Sequence, residues 1–174
     1  MPSEPLTIRI DRLKTPIGEM LIATDREANL RAVDWTDCEP RMHRLLRIHY
    51  GSRGFRVEAG QFSSRAAAAL DRYFQGEVAA IDDLAVETGG TAFQREVWRA
   101  LRRIACGTTT SYAALAKQVG RPAAVRAVGM ANGCNPVGVV VPCHRVIGSD
   151  GSLTGYAGGM DRKLWLLKHE ANGR

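Results

Sequence analysis

Thr110-Ser111-Tyr112-Ala113-Ala114-Leu115-Ala116-Lys117-Gln118-Val119-Gly120-Arg121-Pro122-Ala123-Ala124-Val125-Arg126-Ala127-Val128-Gly129 decides the architecture of the C-terminal half. It reads as a short helix, a turn at Gly120, and a second helix with Pro122 at its first position, where the missing N–H costs nothing. That is a helix-turn-helix outline, though many helical hairpins share it. The second helix is more specific. Ala123, Ala124, Ala127 and Gly129 give it almost no bulk, and one long cation, Arg126, stands among them. It lacks the long polar side chains that read base edges in a major groove. It suits a close, sequence-tolerant approach such as the minor groove offers. Packing of the alanines into the protein's own core is the plain alternative.

Downstream lies Val139-Val140-Val141-Pro142-Cys143-His144-Arg145-Val146. It sets a thiol and an imidazole side by side after an apolar β-branched run that reads as a strand. Only the thiolate is a good nucleophile, and a nearby histidine can take its proton. Successive residues of a strand face opposite ways, so the pair cooperates only if Pro142 breaks the strand or a water bridges them. Asn135 falls where it can pin the turn between the second helix and this run. Upstream, Thr91-Ala92-Phe93-Gln94 has the form of a capping box. Phe93, Val97 and Leu101, with Trp98 and Ile104 beside them, make one apolar helical face.

The N-terminal half reads as a small α/β unit. Leu6–Ile10, Met20–Thr24 and Leu30–Trp35 have strand patterning, with a turn at Thr15-Pro16-Ile17-Gly18. Residues 38–50 and Gln61–Phe74 read as helices, the second closed by Gly76, and Val78–Gly90 reads as a linker. The expected fold is therefore an α/β (α+β) domain over 1–85, with a small antiparallel sheet and helices. A mainly α domain with the helix-turn-helix follows over 86–174.

The 174 residues carry a net charge of +6. Residues 1–89 hold 12 Lys/Arg against 14 Asp/Glu, and residues 90–174 hold 12 against 4. Basic charge in the half that holds the Cys-His pair fits a nucleic-acid-facing surface, and also a merely soluble one. No apolar run is long enough to span a membrane, and Met1-Pro2-Ser3-Glu4 has no secretory pattern. The expected location is the cytoplasm. Cys38, Cys106, Cys134 and Cys143 form no C-x-x-C pair, so neither a zinc ribbon nor a disulfide framework is expected. Cys38, His43 and His49 lie in an Arg-rich helical segment without a second ligand pair. No metal or cofactor is expected. Cys106 reads as structural, with an oxidation-sensitive role left open.

Asn135-Pro136, Pro142-Cys143-His144-Arg145-Val146, Gly155-Tyr156-Ala157-Gly158-Gly159 and Trp165-Leu166-Leu167-Lys168-His169-Glu170 resemble, in order and spacing, the methylated-DNA–protein-cysteine methyltransferases, or O6-alkylguanine-DNA alkyltransferases. The resemblance is strong over about 91–170 and weaker over 1–85. It implies a DNA repair protein that flips O6-alkylguanine (mainly O6-methylguanine, O4-methylthymine more weakly) out of duplex DNA. The alkyl group then passes irreversibly to Cys143, once per molecule.

The resemblance also implies site roles. His144 deprotonates Cys143 through a water, and Glu170 orients His144. Tyr112 donates to the base. The carbonyls of Cys143 and Val146 accept from the exocyclic amine, the Ala157 N–H donates to O6, and Tyr156 walls the pocket. Arg126 is the intercalating finger, on a helix whose Ala124, Ala127 and Gly129 meet the DNA. The implied partner is double-stranded DNA containing alkylated guanine, met through the minor groove with little sequence preference. The protein is expected to be a monomer in solution, with cooperative assembly on DNA left open. Gly158, small where some bacterial relatives carry a bulky residue, suggests room for alkyl groups larger than methyl.

Three rival readings remain at this level. One is a module that binds alkylated bases without repairing them. A second is a methylation-sensing activator, which would need an N-terminal cysteine cluster. The third is an unrelated cysteine hydrolase, which would leave Arg126 without a role.

Overall fold

Strand β1 (Leu6–Thr15) turns back into β2 (Gly18–Thr24) through Thr15, whose hydroxyl donates to Gly18 O at 2.6 Å and accepts from Ile17 N at 3.2 Å. Gly18 supplies the positive φ of +124°, a region open to glycine at little cost. Strand β3 (Leu30–Trp35) pairs antiparallel with β2. A fourth strand, β4 (Phe55–Val57), adds parallel to β1, giving the order β3-β2-β1-β4. The sheet is thus mixed rather than purely antiparallel. With three residues on an edge, β4 is too short to show an alternating pattern. These elements belong to a computed structural model that describes residues 3–58 and 61–173.

Both faces of the sheet are covered, which explains why all six residues of β3 are buried. Helix α1 (Glu39–Tyr50) lays Met42, Leu46 and Tyr50 on one face, against Leu6, Ile8, Leu21 and Ala23. The alternate residues Met20, Ile22, Val33 and Trp35 point the other way. They join a larger core with Leu70, Tyr73, Val97, Leu101, Leu115 and Leu166. Helix α2 (Arg65–Phe74) lies in this second layer. It begins four residues later than Gln61 because Ser64 is its cap, accepting from Ala67 N at 3.0 Å.

The segment 78–90 is not a free linker. Val78, Ile81 and Leu84 are buried, and Leu30 exchanges backbone bonds with it: Leu30 N to Ala85 O at 2.8 Å and Glu87 N to Leu30 O at 3.0 Å. Its apolar residues outweigh its acids and glycines, so it is stitched along β3.

Helix α3 (Ala92–Leu101) opens with the full capping box, Thr91 accepting from Gln94 N and the Gln94 side chain accepting from Thr91 N. Strand β5 (Thr110–Ser111) leads into α4 (Tyr112–Gln118), which is capped by Ser111. Gly120, at φ +75°, makes the turn. The next helix, α5, runs Val125–Gly133 and does not open at Pro122. Ala124 N bonds to Arg121 O at 2.9 Å, so Pro122 takes the second position of a separate turn, where its fixed φ fits. The two-helix outline stands, with Ala123 and Ala124 in the approach rather than inside the helix.

The run 137–141 is not a strand. Val137 bridges to Val33, and the chain then coils, with Val139 at φ +69°. That conformation is strained for a β-branched residue, by roughly 1–3 kcal/mol. Strand β6 (Val146–Ile147) pairs with β5, and α6 (Met160–Asn172) closes the core. Removing the α3 cap by Thr91→Ala should lower stability by about 1 kcal/mol in urea unfolding, because the Gln94 N–H loses its side-chain acceptor while the bond from the residue-91 backbone N–H to Gln94 remains.

Candidate active site

Cys143, His144 and Arg145 form one tight 3-10 turn. Pro142 has no N–H to continue an extended pairing, and Arg145 N closes on Pro142 O at 3.0 Å. The turn splits the side chains. Cys143, 7% exposed, lies on the wall of a cavity of about 580 Å³. His144 and Arg145 point instead toward α6.

Glu170 of α6 receives them. His144 Nε2 lies 2.7 Å from Glu170 Oε1, Arg145 Nη2 donates to the same oxygen at 2.8 Å, and Arg145 Nε donates to Oε2 at 2.9 Å. Tyr73, arriving from α2, donates its hydroxyl to Oε1 at 2.8 Å. Burial alone would raise this carboxyl. The hydrogen bonds from His144 and Arg145 overcome it and hold Glu170 well below the usual carboxylate range. Burial pushes His144 below its ordinary value, against the pull of Glu170.

Nε2 faces a carboxylate, so the ring proton sits there. The free lone pair is therefore on Nδ1, which is fully buried and has no partner among the described residues. Burial pushes the Cys143 thiol up, with the Asn135 side chain opposing. The thiol needs a base to lose its proton at neutral pH, and Nδ1 is a base without a proton.

Asn135 holds the coiled run in shape. Its Nδ2 donates to Val141 O at 2.7 Å and its Oδ1 accepts from Val137 N at 2.9 Å. Arg41 of α1 ties the same place to the sheet. It pairs with the buried Asp34 at 2.9 Å and donates to Gly133 O and Asn135 O.

Opposite the turn, the loop 154–159 forms the far wall with Tyr156 and Ala157, and Tyr112 and Gly129 face it. Tyr112 Oη accepts from Thr154 Oγ1 at 3.1 Å, which leaves the phenol hydrogen free to donate. Lys163, fully buried, spans the gap between loop and turn. Its Nζ donates to Val146 O at 2.7 Å and Thr154 O at 2.8 Å. Arg162 fastens the loop from behind, stacked 4.4 Å over Trp35, paired with Asp37 and bonded to Gly158 O at 3.0 Å.

The structure therefore brings Cys143, Tyr112, Gly129, Tyr156 and Ala157 to one cavity, with His144 and Glu170 behind the nucleophile. Val146 is buried beside the cavity rather than on its wall. Arg126 and Ala127 are exposed on α5, and Ala124 is half-buried at its start. A Cβ on Gly158 would lie 2.8 Å from Trp35 Nε1 and from Tyr156 Cε1, so the glycine lets the loop pack closely behind the cavity wall. Cys38, His43 and His49 do not converge: they meet Ala157 O, Glu39 and Trp98 respectively.

Sequence reasoning missed Arg145, Lys163 and Tyr73. Arg145 and Lys163 carried a signal, since one adjoins the Cys-His pair and the other shares a face of α6 with Leu166 and Glu170. Tyr73 carried none, lying 97 residues from its partner.

Residues 92–172 match the family described as 6-O-methylguanine DNA methyltransferase, DNA binding domain, and residues 8–88 match its ribonuclease-like domain. The chain is 51% identical over 160 residues to a methylated-DNA–protein-cysteine methyltransferase of Salmonella typhimurium, covering 92% of this chain and 94% of that protein. A namesake from Methanosarcina barkeri is 41% identical, covering 93% and 96%. Among solved structures, the Mycobacterium tuberculosis O6-methylguanine methyltransferase superposes with a TM-score of 0.76 at 37% identity, covering 96% and 94% of the two chains. The Mycobacterium tuberculosis protein solved in complex with DNA gives 0.75 at 39% identity, covering 95% and 92%. With both halves matched and half the residues shared with a full-length relative, this chain belongs to the 6-O-methylguanine DNA methyltransferase family.

Proposed function

We propose that this chain repairs alkylated DNA by moving an alkyl group from O6 of guanine to its own Cys143. The observation that carries the reading is the buried Cys143 thiol on the cavity wall, with a neutral imidazole and an ionised carboxylate stacked behind it. The related proteins named above, and the DNA complex of one of them, support DNA as the partner.

A base inside a duplex cannot reach a cavity, so the target is turned out of the stack at a cost of about a few kcal/mol. The small residues Ala127 and Gly129 let α5 come close through the minor groove. Arg126, exposed and flat, fills the vacated space. His144 Nδ1 takes the Cys143 proton through a bridging water. The sulfur attacks the alkyl carbon, the carbon–O6 bond breaks, and its electron pair leaves with the guanine. Tyr112 donates to the base and so offsets that charge, and the Ala157 N–H meets O6. The product is a thioether. It lacks an activated carbonyl, and no second thiol lines the cavity among the described residues, so each molecule acts once. None of the helices described is long and apolar enough to cross a membrane. A free thiol nucleophile fits the reducing cytoplasm.

Mass spectrometry after incubation with O6-methylguanine duplex tests this reading. One methyl on the Cys143 peptide, and product that plateaus at one per protein, is the expected result; continued turnover contradicts it.

The transfer rate should stay flat from pH 8 down past about pH 6.5, the ordinary histidine value, and fall only in more acid solution, because burial holds His144 below that value and keeps Nδ1 unprotonated. Stability should follow with the same sign. Below about 6.5 the unfolded chain binds a proton at His144 that the fold resists, so stability drops as pH falls. Glu170, held low in the fold, adds a second loss below about pH 4.3. Rate and urea-midpoint profiles against pH check both.

Glu170→Gln takes the counter-charge from Arg145 and the orienting charge from His144. We expect roughly 3–5 kcal/mol lost in urea unfolding and a transfer rate lower by about 100-fold or more.

A further inference from the structure

On the repair reading above, we propose that Met130 is a specificity-determining residue for the base pairs that flank the lesion. Its side chain enters the minor groove beside Arg126 and favours flanks that carry no 2-amino group there.

Helix α5 has three sides. Val128, Ala131 and Asn132 are buried. Val125, Gly129 and Gly133 line the cavity that holds Cys143. Arg126 and Met130 face solvent on the ridge beside that line, Met130 at 67% exposure. They are four residues apart, so they are neighbours on the helix surface. A single exposed methionine is ordinary surface. This one stands next to the cation that the repair reading places in the vacated stack. The residues around it are Ala127 and glycines, so Met130 is the long apolar side chain that α5 offers to a groove.

The backbone that presents it is pinned from two directions. Trp98 Nε1 donates to Ala131 O at 2.9 Å, and Arg41 Nη2 donates to Gly133 O at 2.8 Å. The last turn of α5 is therefore fixed, and the unbranched thioether adapts to what it meets.

Charge selects the occupant. Residues 90–174 hold 12 Lys/Arg against 4 Asp/Glu, a balance that draws a polyanion. Four residues advance a helix by about 6 Å, less than two base steps of about 3.4 Å each. With Arg126 in the vacated place, Met130 falls against the adjoining pairs however α5 is turned. Minor-groove proteins insert apolar wedges there, methionine among them. The groove floor of an A·T pair shows only acceptors, whereas G·C adds the guanine 2-amino donor. Under Met130 that amino group loses water and gains only a weak sulfur acceptor. It also stands up from the floor where the side chain would lie.

The test uses four duplexes, with O6-methylguanine between two pairs that are A·T, 2,6-diaminopurine·T, hypoxanthine·C or G·C. Within the first couple and within the second, only the 2-amino group changes. Second-order transfer rate constants are measured for the unaltered chain, Met130→Ala and Met130→Leu. The unaltered chain should react faster without the amino group by on the order of fivefold in both couples. Met130→Leu should keep most of that ratio and Met130→Ala should lose most of it. The amino group also strengthens pairing, a contribution that Met130→Ala retains and so isolates. Met130 is exposed, so both variants keep the fold, which an unchanged urea midpoint checks. A ratio near one in the unaltered chain, or an undiminished ratio in Met130→Ala, overturns the assignment alone. No methyl transfer from any of the duplexes overturns the repair reading and the assignment with it.

Discussion

The Glu170 carboxylate is the point on which the rest of the site hangs. It is 4% exposed and gathers an imidazole and a guanidinium from one turn and a phenol from α2. A buried charge is tolerated only when its lone pairs are met, and here each oxygen is met by charged or polar hydrogen. The arrangement fixes three things at once. It sets the His144 tautomer, it turns Arg145 away from the cavity, and it locks α6 against the turn that carries Cys143. The nucleophile's environment is thus the far end of a polar network whose near end is the last helix.

Around that network the cavity is assembled from pieces that none of the helices could hold alone. Lys163 and Arg162 are neighbours on α6 and work on opposite sides of the same loop, one from inside the core and one over Trp35. Arg41 reaches from α1 to the end of α5. The sheet domain therefore contributes to the site without supplying a wall residue of the main cavity. It holds the loop and the helix end at the separation that gives the cavity its width.

Much of this was legible in the sequence, and the failures share a cause. The hairpin and the capping box rest on local rules and appear where those rules put them, and the two-helix outline holds with its second helix opening at Val125 rather than Pro122. The run Val137–Val141 misled because β-branched residues favour strands. Asn135 and the turn chemistry overrode that preference and coiled the chain. The 78–90 segment misled in the opposite sense, since its acids and glycines hid Val78, Ile81 and Leu84, which are buried in the core, and a bridge from Val86 to Leu30. Cys143, His144, Tyr112 and Glu170 could be picked from motif order. Tyr73 could not. Its role comes from long-range packing, which leaves no mark in a single sequence.

The larger core runs without a break from Met20 and Trp35 in the sheet to Val97 in α3 and Leu166 in α6. The two halves of the chain consequently share one core. An excised acceptor half would present to water the apolar surface that the sheet now covers, and would be prone to collapse or self-association. Any engineering that treats the DNA-facing half as a portable cassette must carry the sheet with it, or rebuild its inner face in polar residues.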